Sequence, residues 1–271
     1  MKNLFSLPGR NTENHREQFA RITQMVGSEG LKRLQAATVT VVGLGAVGGY
    51  AVEALARSGI GHLRLIDYDI IKPSNINRQI LALWSNIGQK KCTLAAERVL
   101  AINPHCRAEP LDLFVHTDTL DIVLGGSPES RTRQTDPGIV VDAIDSLNPK
   151  VELISALATR SLPAVSSMGA ALRTDPTRLR IGPLAEITHC RLAMMLRKRL
   201  RRRGITPIHP CVYSPEPVRE LQKKAILPPE LSEENYYNQG RRRSSLGSLP
   251  TLTGIFGLAV ANTVLTMILE R

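Results

Sequence analysis

Aromatic side chains are scarce in this sequence: Phe, Tyr and Trp together make up 4% of its 271 residues. We therefore do not expect a binding surface in which stacked aromatic rings hold unpaired bases. The four cysteines include no CxxC pair, so neither a structural zinc knuckle nor a disulfide scaffold is indicated. Residues 1–19 lack an apolar stretch long enough for a signal peptide, and we expect a cytoplasmic protein.

Hydrophobic residues are plentiful, at 42%, and supply enough apolar side chains for a folded core. The length suits one large α/β domain, or one domain with an appended piece. Basic residues outnumber acidic residues by 35 to 24, which gives a formal net charge of +11. This excess indicates a polyanionic partner, although a solvated basic surface would give the same count.

A βαβ unit opens the folded part of the sequence. The β-branched run at residues 38–42 predicts a strand buried on both faces, and it is followed by glycines, a helix at residues 50–57 and a second strand at residues 62–67. Further strands are predicted at residues 108–115, 139–145 and 163–167, and further helices at residues 87–101 and 148–160. Strands that alternate with helices predict an α/β fold with a doubly wound, Rossmann-like and mostly parallel sheet.

The alternation fades beyond residue 181, where a basic helix, a long polar connection and an uncharged final helix are predicted at residues 190–203, 204–248 and 249–269. The final segment is long enough to span a membrane, but its Pro, Gly, Asn and Thr residues favour a helix buried against the sheet. Stable membrane insertion is not expected, and membrane association is the alternative. We expect an N-terminal helical arm at residues 1–35, a Rossmann-like core at residues 36–185 and a C-terminal extension at residues 186–271.

A G-x-G-x-x-G motif lies between the first strand and its helix, with glycines at positions 43, 45 and 48. Gly43 allows the tight turn, Gly45 lets the backbone approach a phosphate, and Gly48 lets helix and strand pack closely. The helix N-terminus then offers N–H groups to an anion. Asp67 ends the second strand, where an acid binds ribose hydroxyls. These residues leave NAD and ATP equally open.

The polar loop after the second strand carries Asn75, Arg78 and Gln79. A dehydrogenase does not need these three side chains there, whereas a triphosphate does, because negative charge must be offset while pyrophosphate leaves. Lys91, on the next helix, is within reach of the same cluster. Asp145 ends the fourth predicted strand, where a carboxylate can hold Mg²⁺ against phosphate oxygens. The loop therefore favours ATP.

Residues 43–79 (GLGAVGGYAVEALARSGIGHLRLIDYDIIKPSNINRQ), with GxxK at 88–91 and DAxD at 142–145, resemble the adenylation domain of the ubiquitin-activating-enzyme-like superfamily of the ThiF/MoeB type. The resemblance implies ATP and Mg²⁺ as cofactors and a homodimer as the assembly. It implies nucleotide-binding roles for Gly43, Gly45, Gly48, Asp67, Asp69, Asn75 and Gln79. It implies catalytic roles for Arg21, Arg78, Lys91 and Asp145. Asp145 would hold the metal, and Arg21 would cross to the partner subunit's nucleotide unless it is an ordinary solvated arginine.

One branch of the superfamily is indicated by what the sequence lacks and by what it has. Sulfur-carrier activators usually have CxxC pairs and often a crossover-loop cysteine, whereas the presumed crossover loop here, residues 239–248, has none, so a thioester route lacks its usual nucleophile. Five segments instead resemble those of the tRNA threonylcarbamoyladenosine dehydratases: INPHC at 102–106, DSLNPK at 145–150, SSMGAALRTDPT at 166–177, LRRRGI at 200–205 and VYS at 212–214.

This resemblance implies an ATP-dependent, tRNA-modifying dehydratase or cyclase with ligase-type adenylation chemistry. The carboxylate of the threonylcarbamoyl group would be adenylated, and the tethered carbamoyl group would then close a ring and expel AMP. The implied partner is a tRNA that bears threonylcarbamoyladenosine next to its anticodon. Phosphate contacts are expected from Arg197, Lys198, Arg199, Arg201, Arg202 and Arg203, and from a second cluster at residues 241–243. A solvated charge run is the alternative for these cations.

Three other functions stay open from the sequence. An activator of a ubiquitin-like sulfur carrier would bind a small protein with a Gly-Gly tail and would not depend on RNA. A nicotinamide-dependent oxidoreductase would bind NAD. A non-catalytic scaffold for RNA or sulfur transfer would keep the ATP-binding fold without turnover. Whether a sulfur-transfer protein also docks on the chain is left open.

Overall fold

The computed structural model describes residues 17–126, 136–218 and 246–270. Seven strands in this part form one sheet in the order β3-β2-β1-β4-β5-β7-β6. They are β1 (Thr38–Val42), β2 (His62–Ile66), β3 (Arg107–Leu111), β4 (Ile139–Asp142), β5 (Ala164–Ser167), β6 (Arg180–Gly182) and β7 (Cys211–Tyr213). Neighbouring strands are parallel except for the antiparallel pair of β6 and β7. The predicted α/β fold with a mostly parallel sheet is confirmed.

Helices cover both faces of this sheet. They are α1 (Ala20–Ala36, kinked at Gly27), α2 (Gly48–Arg57), α3 (Lys91–Ile102), α4 (Leu120–Val123), α5 (Leu147–Thr159), α6 (Arg191–Arg202) and α7 (Pro250–Leu269). Val41 and Leu65 face the layer of α1, α2, α3 and α7. Val42 and Ile66, their neighbours in sequence, face α4 and α5 on the other side. Apolar residues on both faces explain why the strand sequences read as continuous hydrophobic runs.

Several predicted boundaries were wrong. The helix predicted at residues 87–101 begins at Lys91, because Gly88 takes a positive φ of 85° that a helix does not allow. The strand predicted at residues 108–115 ends at Leu111. The strand predicted at residues 139–145 ends at Asp142, so Asp145 lies three residues beyond it.

Two strands were not predicted at all. β6 and β7 have three residues each, too few for a periodic pattern, and β7 lies within the stretch predicted as a long connection. Because β7 belongs to the same sheet as the rest, the sheet extends past the expected boundary at residue 185. The division into arm, core and extension stays a prediction.

α7 packs in the interior, where it meets α2 at very short range. A Cβ atom at Gly257 would lie 2.4 Å from the Val47 carbonyl oxygen, so only glycine allows this approach. Phe256, Val260 and Val264 are buried in the main core. α7 is the one described helix long and apolar enough to span a membrane, a test that core helices also pass, and half of its most apolar stretch is buried. Its position agrees with a helix that covers the sheet.

Candidate active site

The three motif glycines have three different surroundings. Gly43 has a φ of +90°, and a Cβ atom there would lie 2.9 Å from the Ala143 carbonyl oxygen. At Gly48 a Cβ atom would lie 1.8 Å from the Gly43 carbonyl oxygen, so no side chain fits between loop and helix. Gly45 is open instead, since the nearest described atom is Gln79 Nε2, 3.9 Å from the Cβ position. The turn and packing explanations for Gly43 and Gly48 agree with these distances, and Gly45 leaves space for a ligand.

Asp67 joins the glycine loop to the end of β2. Its Oδ2 accepts a hydrogen bond from the Leu44 N–H at 2.7 Å, and its Oδ1 accepts one from the Asp69 N–H at 2.8 Å. Burial raises the pKa of this carboxyl group, while the nearby Lys91 ammonium acts in the opposite direction. The carboxylate therefore fixes the backbone of the loop, and its contact with ribose stays a prediction.

Lys91 is fixed at both ends by one residue. Its backbone N–H donates to the Asp69 carbonyl oxygen at 3.0 Å, and its Nζ forms an ion pair with Asp69 Oδ2 at 2.9 Å. The Lys91 side chain is 5% exposed, whereas that of Asp69 is 45% exposed. The structure thus brings together two of the predicted residues and holds a buried ammonium beside the loop that follows β2.

Asn75 and Arg78 shape the loop itself. Asn75 is buried, and its Oδ1 accepts the Lys72 N–H at 3.1 Å, which closes a short turn. The Arg78 guanidinium donates to the Ser74 carbonyl oxygen at 2.8 Å and to Asn77 Oδ1 at 2.9 Å. These contacts are local, so the predicted phosphate contacts of both residues stay predictions.

Gln79 presents an unsatisfied acceptor at the glycine loop. Its side chain is 7% exposed, and its Oε1 has no hydrogen-bond partner in the described part of the chain. Its Nε2 is the side-chain atom that faces the open space at Gly45. Buried polar atoms are normally paired, so this oxygen is an exception among the described residues. The Nε2 group at Gly45 is a donor, the kind of group from which a ligand oxygen accepts a hydrogen bond.

Asp145 is exposed in the loop between β4 and α5. This loop lies against the glycine loop, because the Ala143 N–H donates to the Val42 carbonyl oxygen at 2.9 Å. The described residues contain no group of three or more metal-ligating side chains. Mg²⁺ is commonly held by one or two carboxylates together with substrate phosphates, so a single exposed carboxylate here fits that ion.

Arg21 does not join this cleft within one subunit. It lies exposed in the first turn of α1, a helix that packs against α7. The described residues give it no hydrogen bond or ion pair with any residue of the cleft. A role across a subunit interface stays a prediction.

The cations in and just after the basic helix α6 form two groups: those that hydrogen-bond to other parts of the protein, and those that are exposed without such a bond in the described part of the chain. Arg197 donates to the Leu184 and Ile187 carbonyl oxygens at 2.8 and 2.7 Å, and Arg203, just after the helix, pairs with Glu152 at 2.9 Å. The remaining predicted cations are exposed: Lys198, Arg199, Arg201 and Arg202. They line an open groove of about 580 Å³ with Arg197, Met194 and Met195. The second basic cluster, residues 241–243, lies outside the described residues, as does most of the presumed crossover loop.

All four cysteines are buried as free thiols. Burial raises the pKa of Cys211 to about 12 and that of Cys106 to about 11, and it raises the pKa of Cys92 as well. Cys190 accepts the Ala193 N–H at the start of α6. None of the four is placed as an exposed thiolate nucleophile.

Sequence reasoning gave no role to a second buried cation at the same edge of the sheet. Lys150, on α5, is fully buried and pairs with Asp142 at the end of β4. Its sequence signal was a lysine near the start of a helix rich in apolar residues, within the DSLNPK segment.

Comparisons with known proteins show similarity to tRNA threonylcarbamoyladenosine dehydratases over most of the chain. The tRNA threonylcarbamoyladenosine dehydratase of Bacillus subtilis is 37% identical over 214 residues, which are 77% of this chain and 80% of that protein. The structure of the Escherichia coli tRNA N6-threonylcarbamoyladenosine dehydratase in complex with AMP has a TM-score of 0.80 at 31% identity and covers 96% of this chain and 97% of its own. The same enzyme in complex with ATP has a TM-score of 0.78.

Similarity to sulfur-carrier activators is shorter. The molybdopterin-synthase adenylyltransferase of Salmonella typhimurium is 32% identical over 147 residues, which are 54% of this chain. A family model described as the ThiF family matches residues 16–271. The chain belongs to the ThiF family and groups within it with the tRNA threonylcarbamoyladenosine dehydratases.

Proposed function

We propose that this protein is an ATP-dependent tRNA threonylcarbamoyladenosine dehydratase. The observation that carries the proposal is the nucleotide cleft, which combines an open Gly45, the buried Gln79 amide beside it and a buried Lys91 ammonium. Likeness to ATP-bound and AMP-bound dehydratases over 96% of the chain supports the same assignment.

The reaction would proceed in two steps. The carboxylate of the threonylcarbamoyl group attacks the α-phosphorus of ATP, and the bond to the pyrophosphate oxygen breaks, which leaves an acyl adenylate. The carbamoyl group of the same substituent then attacks the activated carbonyl carbon and expels AMP, with net loss of water. Because the second nucleophile is tethered to the first product, ring closure is intramolecular and needs no enzyme nucleophile.

The cationic side chains and the metal site of the cleft would stabilise negative charge on the phosphates. Lys91 and Arg78 would offset negative charge that develops on the phosphates as pyrophosphate leaves. Asp145 would hold Mg²⁺, which supplies Lewis-acid stabilisation of phosphate charge when bound. Gly43, Gly45 and Gly48 would surround the phosphates with backbone, and Asp67 would contact the ribose. Asp69, Asn75 and Gln79 would complete the nucleotide site.

The tRNA would dock on α6. Lys198, Arg199, Arg201 and Arg202 are exposed on one groove, as phosphate contacts require. Arg197 and Arg203 bind protein groups, so we assign them a supporting role for the surface rather than direct RNA contacts. The arginines at residues 241–243 remain candidates for a second contact.

The assembly would be a homodimer in the cytoplasm, with Arg21 of each subunit reaching the nucleotide of the other. The interior packing of α7 supports a protein without a membrane-spanning segment in the described residues. A sulfur-transfer protein is a further partner that the sulfur-carrier side of the family suggests.

The decisive experiment measures conversion of ATP to AMP with tRNA that carries threonylcarbamoyladenosine, and with the same tRNA lacking the modification. We expect AMP formation to require the modified tRNA, and mass spectrometry of the nucleosides to show a product lighter by one water. AMP formation that requires a small protein with a Gly-Gly tail, and not RNA, would establish the sulfur-carrier alternative. NAD binding in place of ATP binding would establish an oxidoreductase.

A further inference from the structure

A buried polar network lies behind the loop that carries Asp145. The Lys150 ammonium pairs with Asp142 Oδ2 at 2.8 Å, and both side chains are fully buried. Ser166 Oγ lies 2.9 Å from the same Asp142 oxygen and 2.8 Å from His209 Nε2. The network thus connects α5, the ends of β4 and β5, and the segment before β7.

The chemistry of these groups fixes the direction of each hydrogen bond. A carboxylate only accepts, so the Ser166 hydroxyl donates its proton to Asp142. The His209 Nε2–H then donates to the Ser166 oxygen. Burial lowers the pKa of His209, the Asp142 carboxylate acts in the opposite direction, and the Lys150 ammonium acts in the same direction as burial. The net lowering of this pKa agrees with a neutral imidazole in this chain of bonds.

The network ends on the backbone of the Asp145 loop. Lys150 Nζ also donates to the Ile144 carbonyl oxygen at 3.0 Å, and Asp142 Oδ1 accepts the Ile144 N–H at 3.2 Å. Both backbone groups of Ile144 are therefore held by one ion pair. Ala143, the residue before it, contacts Gly43 of the glycine loop. Asp145, the next residue, leaves this fixed point toward solvent.

A buried ion pair is a poor way to gain stability. Removing two charges from water is costly, and apolar residues of similar volume often serve packing at least as well. What the pair does provide is a fixed backbone position for Ile144, because Lys150 donates to its carbonyl oxygen and Asp142 accepts from its N–H. Groups of this kind, behind a metal ligand, orient the ligand and tune its affinity.

We propose that Lys150 is a positioning residue for adenylation: with Asp142, Ser166 and His209 it holds Ile144 so that Asp145 points into the nucleotide cleft. The inference rests on the proposed function for its chemistry, and Lys150 and Asp142 are fully buried, so they act through the loop rather than by direct contact with a ligand. Lys150 acts on the loop, and the loop presents the carboxylate.

The test uses a double variant, because Lys150→Met alone would leave a buried carboxylate without its cation. Asp142→Asn combined with Lys150→Met removes both charges at nearly constant volume. The matched control is Asp121→Asn combined with Arg160→Met, which removes an ion pair at the far end of α5. Both full-length variants are first compared with the wild type by thermal unfolding.

The direct readout is binding of Mn²⁺, followed by electron paramagnetic resonance in the presence of a non-hydrolysable ATP analogue. We expect the Asp142/Lys150 variant to bind Mn²⁺ roughly 10- to 100-fold more weakly, and the control to bind it like the wild type. In AMP formation the same variant should lose kcat by about 10-fold or more with little change in the KM for ATP. Wild-type Mn²⁺ affinity in the folded double variant would overturn the proposal.

A second variant keeps the test decisive if the double variant fails to fold. Ser166→Ala breaks the link to His209 and leaves both charges in place, so it should weaken Mn²⁺ binding without loss of the folded state. Wild-type Mn²⁺ binding by Ser166→Ala would then overturn the proposal. The titration needs neither tRNA nor turnover, so failure of the wild type to cyclise modified tRNA would overturn the proposed function alone.

Discussion

Four carboxylates close to the carboxyl edge of the sheet have four different surroundings. Asp67 binds backbone N–H groups, Asp69 pairs with a lysine on α3, and Asp142 pairs with a lysine on α5. Asp145 is exposed in the loop after β4, and it lies where the glycine loop is close. The first three stabilise the shape of the cleft, so removal of any of them would disturb folding and chemistry together. Asp145 offers a cleaner experiment.

We expect Asp145→Ala to abolish pyrophosphate release while the free energy of unfolding changes little. The side chain is exposed, so its removal leaves no cavity in the core. The measurement is pyrophosphate formation with modified tRNA, alongside thermal unfolding. Asp118→Ala, which removes another highly exposed acid, serves as the control. Near-normal pyrophosphate release by Asp145→Ala would refute its role in holding Mg²⁺.

The thiols are expected to be dispensable for ring closure. With the pKa of Cys211 raised to about 12 by burial, the reactive thiolate is a negligible fraction near neutral pH. A variant with all four cysteines changed to Ser or Ala should still form the cyclised nucleoside, apart from any loss through packing. Mass spectrometry of tRNA nucleosides and a parallel AMP assay separate the two steps. If Cys211→Ala alone stops ring formation but not AMP formation, a thioester route operates.

At the scale of secondary-structure elements, α6 combines two functions in one helix. Ala193, Leu196 and Leu200 form its buried face, and the cations on the other sides are either tied to the protein or exposed. A helix of this kind presents a charged surface in a fixed orientation, as docking of a folded RNA requires. Replacement of an exposed cation should therefore affect tRNA binding, whereas replacement of a cation that binds the protein should affect stability.

We expect Arg201→Glu combined with Arg202→Glu to weaken tRNA binding strongly and to flatten its dependence on salt, because phosphate contacts release counterions. ATP binding should be nearly unchanged, since the nucleotide cleft lies on other segments. Arg203→Gln is the matched control: it breaks the pair with Glu152, so it should lower the melting temperature more than the tRNA affinity. Filter-binding titrations at several salt concentrations measure the tRNA affinity and its salt dependence, and thermal unfolding measures the melting temperature. Equal tRNA affinity in all variants would mean that the groove is only a solvated face.

The elements differ in how far sequence predicts them. β1 and β4 are made mostly of β-branched residues, and β2 carries Leu63, Leu65 and Ile66; burial on both faces gives all three a hydrophobic pattern that located their first residues. β6 and β7 are held by pairing with neighbours rather than by pattern, and three residues carry no periodic signal. The glycine loop was predictable because steric rules require glycine there. Lys150 was not, since a lysine is expected at the surface and only the fold shows its buried partner.

At the scale of the whole molecule, one predicted catalytic residue, Arg21, lies outside the cleft in the described part of the chain. Lys91 lies on the helix that follows β2 and Asp145 lies in the loop that follows β4, two parallel strands on either side of β1, whereas Arg21 lies exposed on α1 without a bond to the cleft in the described residues. A homodimer in which Arg21 reaches across would complete the site. The two-fold symmetry of such a dimer gives the same exchange of Arg21 at both nucleotide sites.

Mixed dimers test this arrangement. Arg21→Ala and Asp145→Ala are each expected to be inactive, but a dimer of one subunit of each kind contains one site with both residues intact and one site with neither. Random reassortment of equal amounts should therefore restore about a quarter of wild-type AMP formation. A mixture of Lys91→Ala and Asp145→Ala is the control, and it should stay inactive because both residues belong to the same subunit's cleft. No recovery in the first mixture, when mass photometry shows reassorted dimers, would mean that Arg21 does not act across the interface.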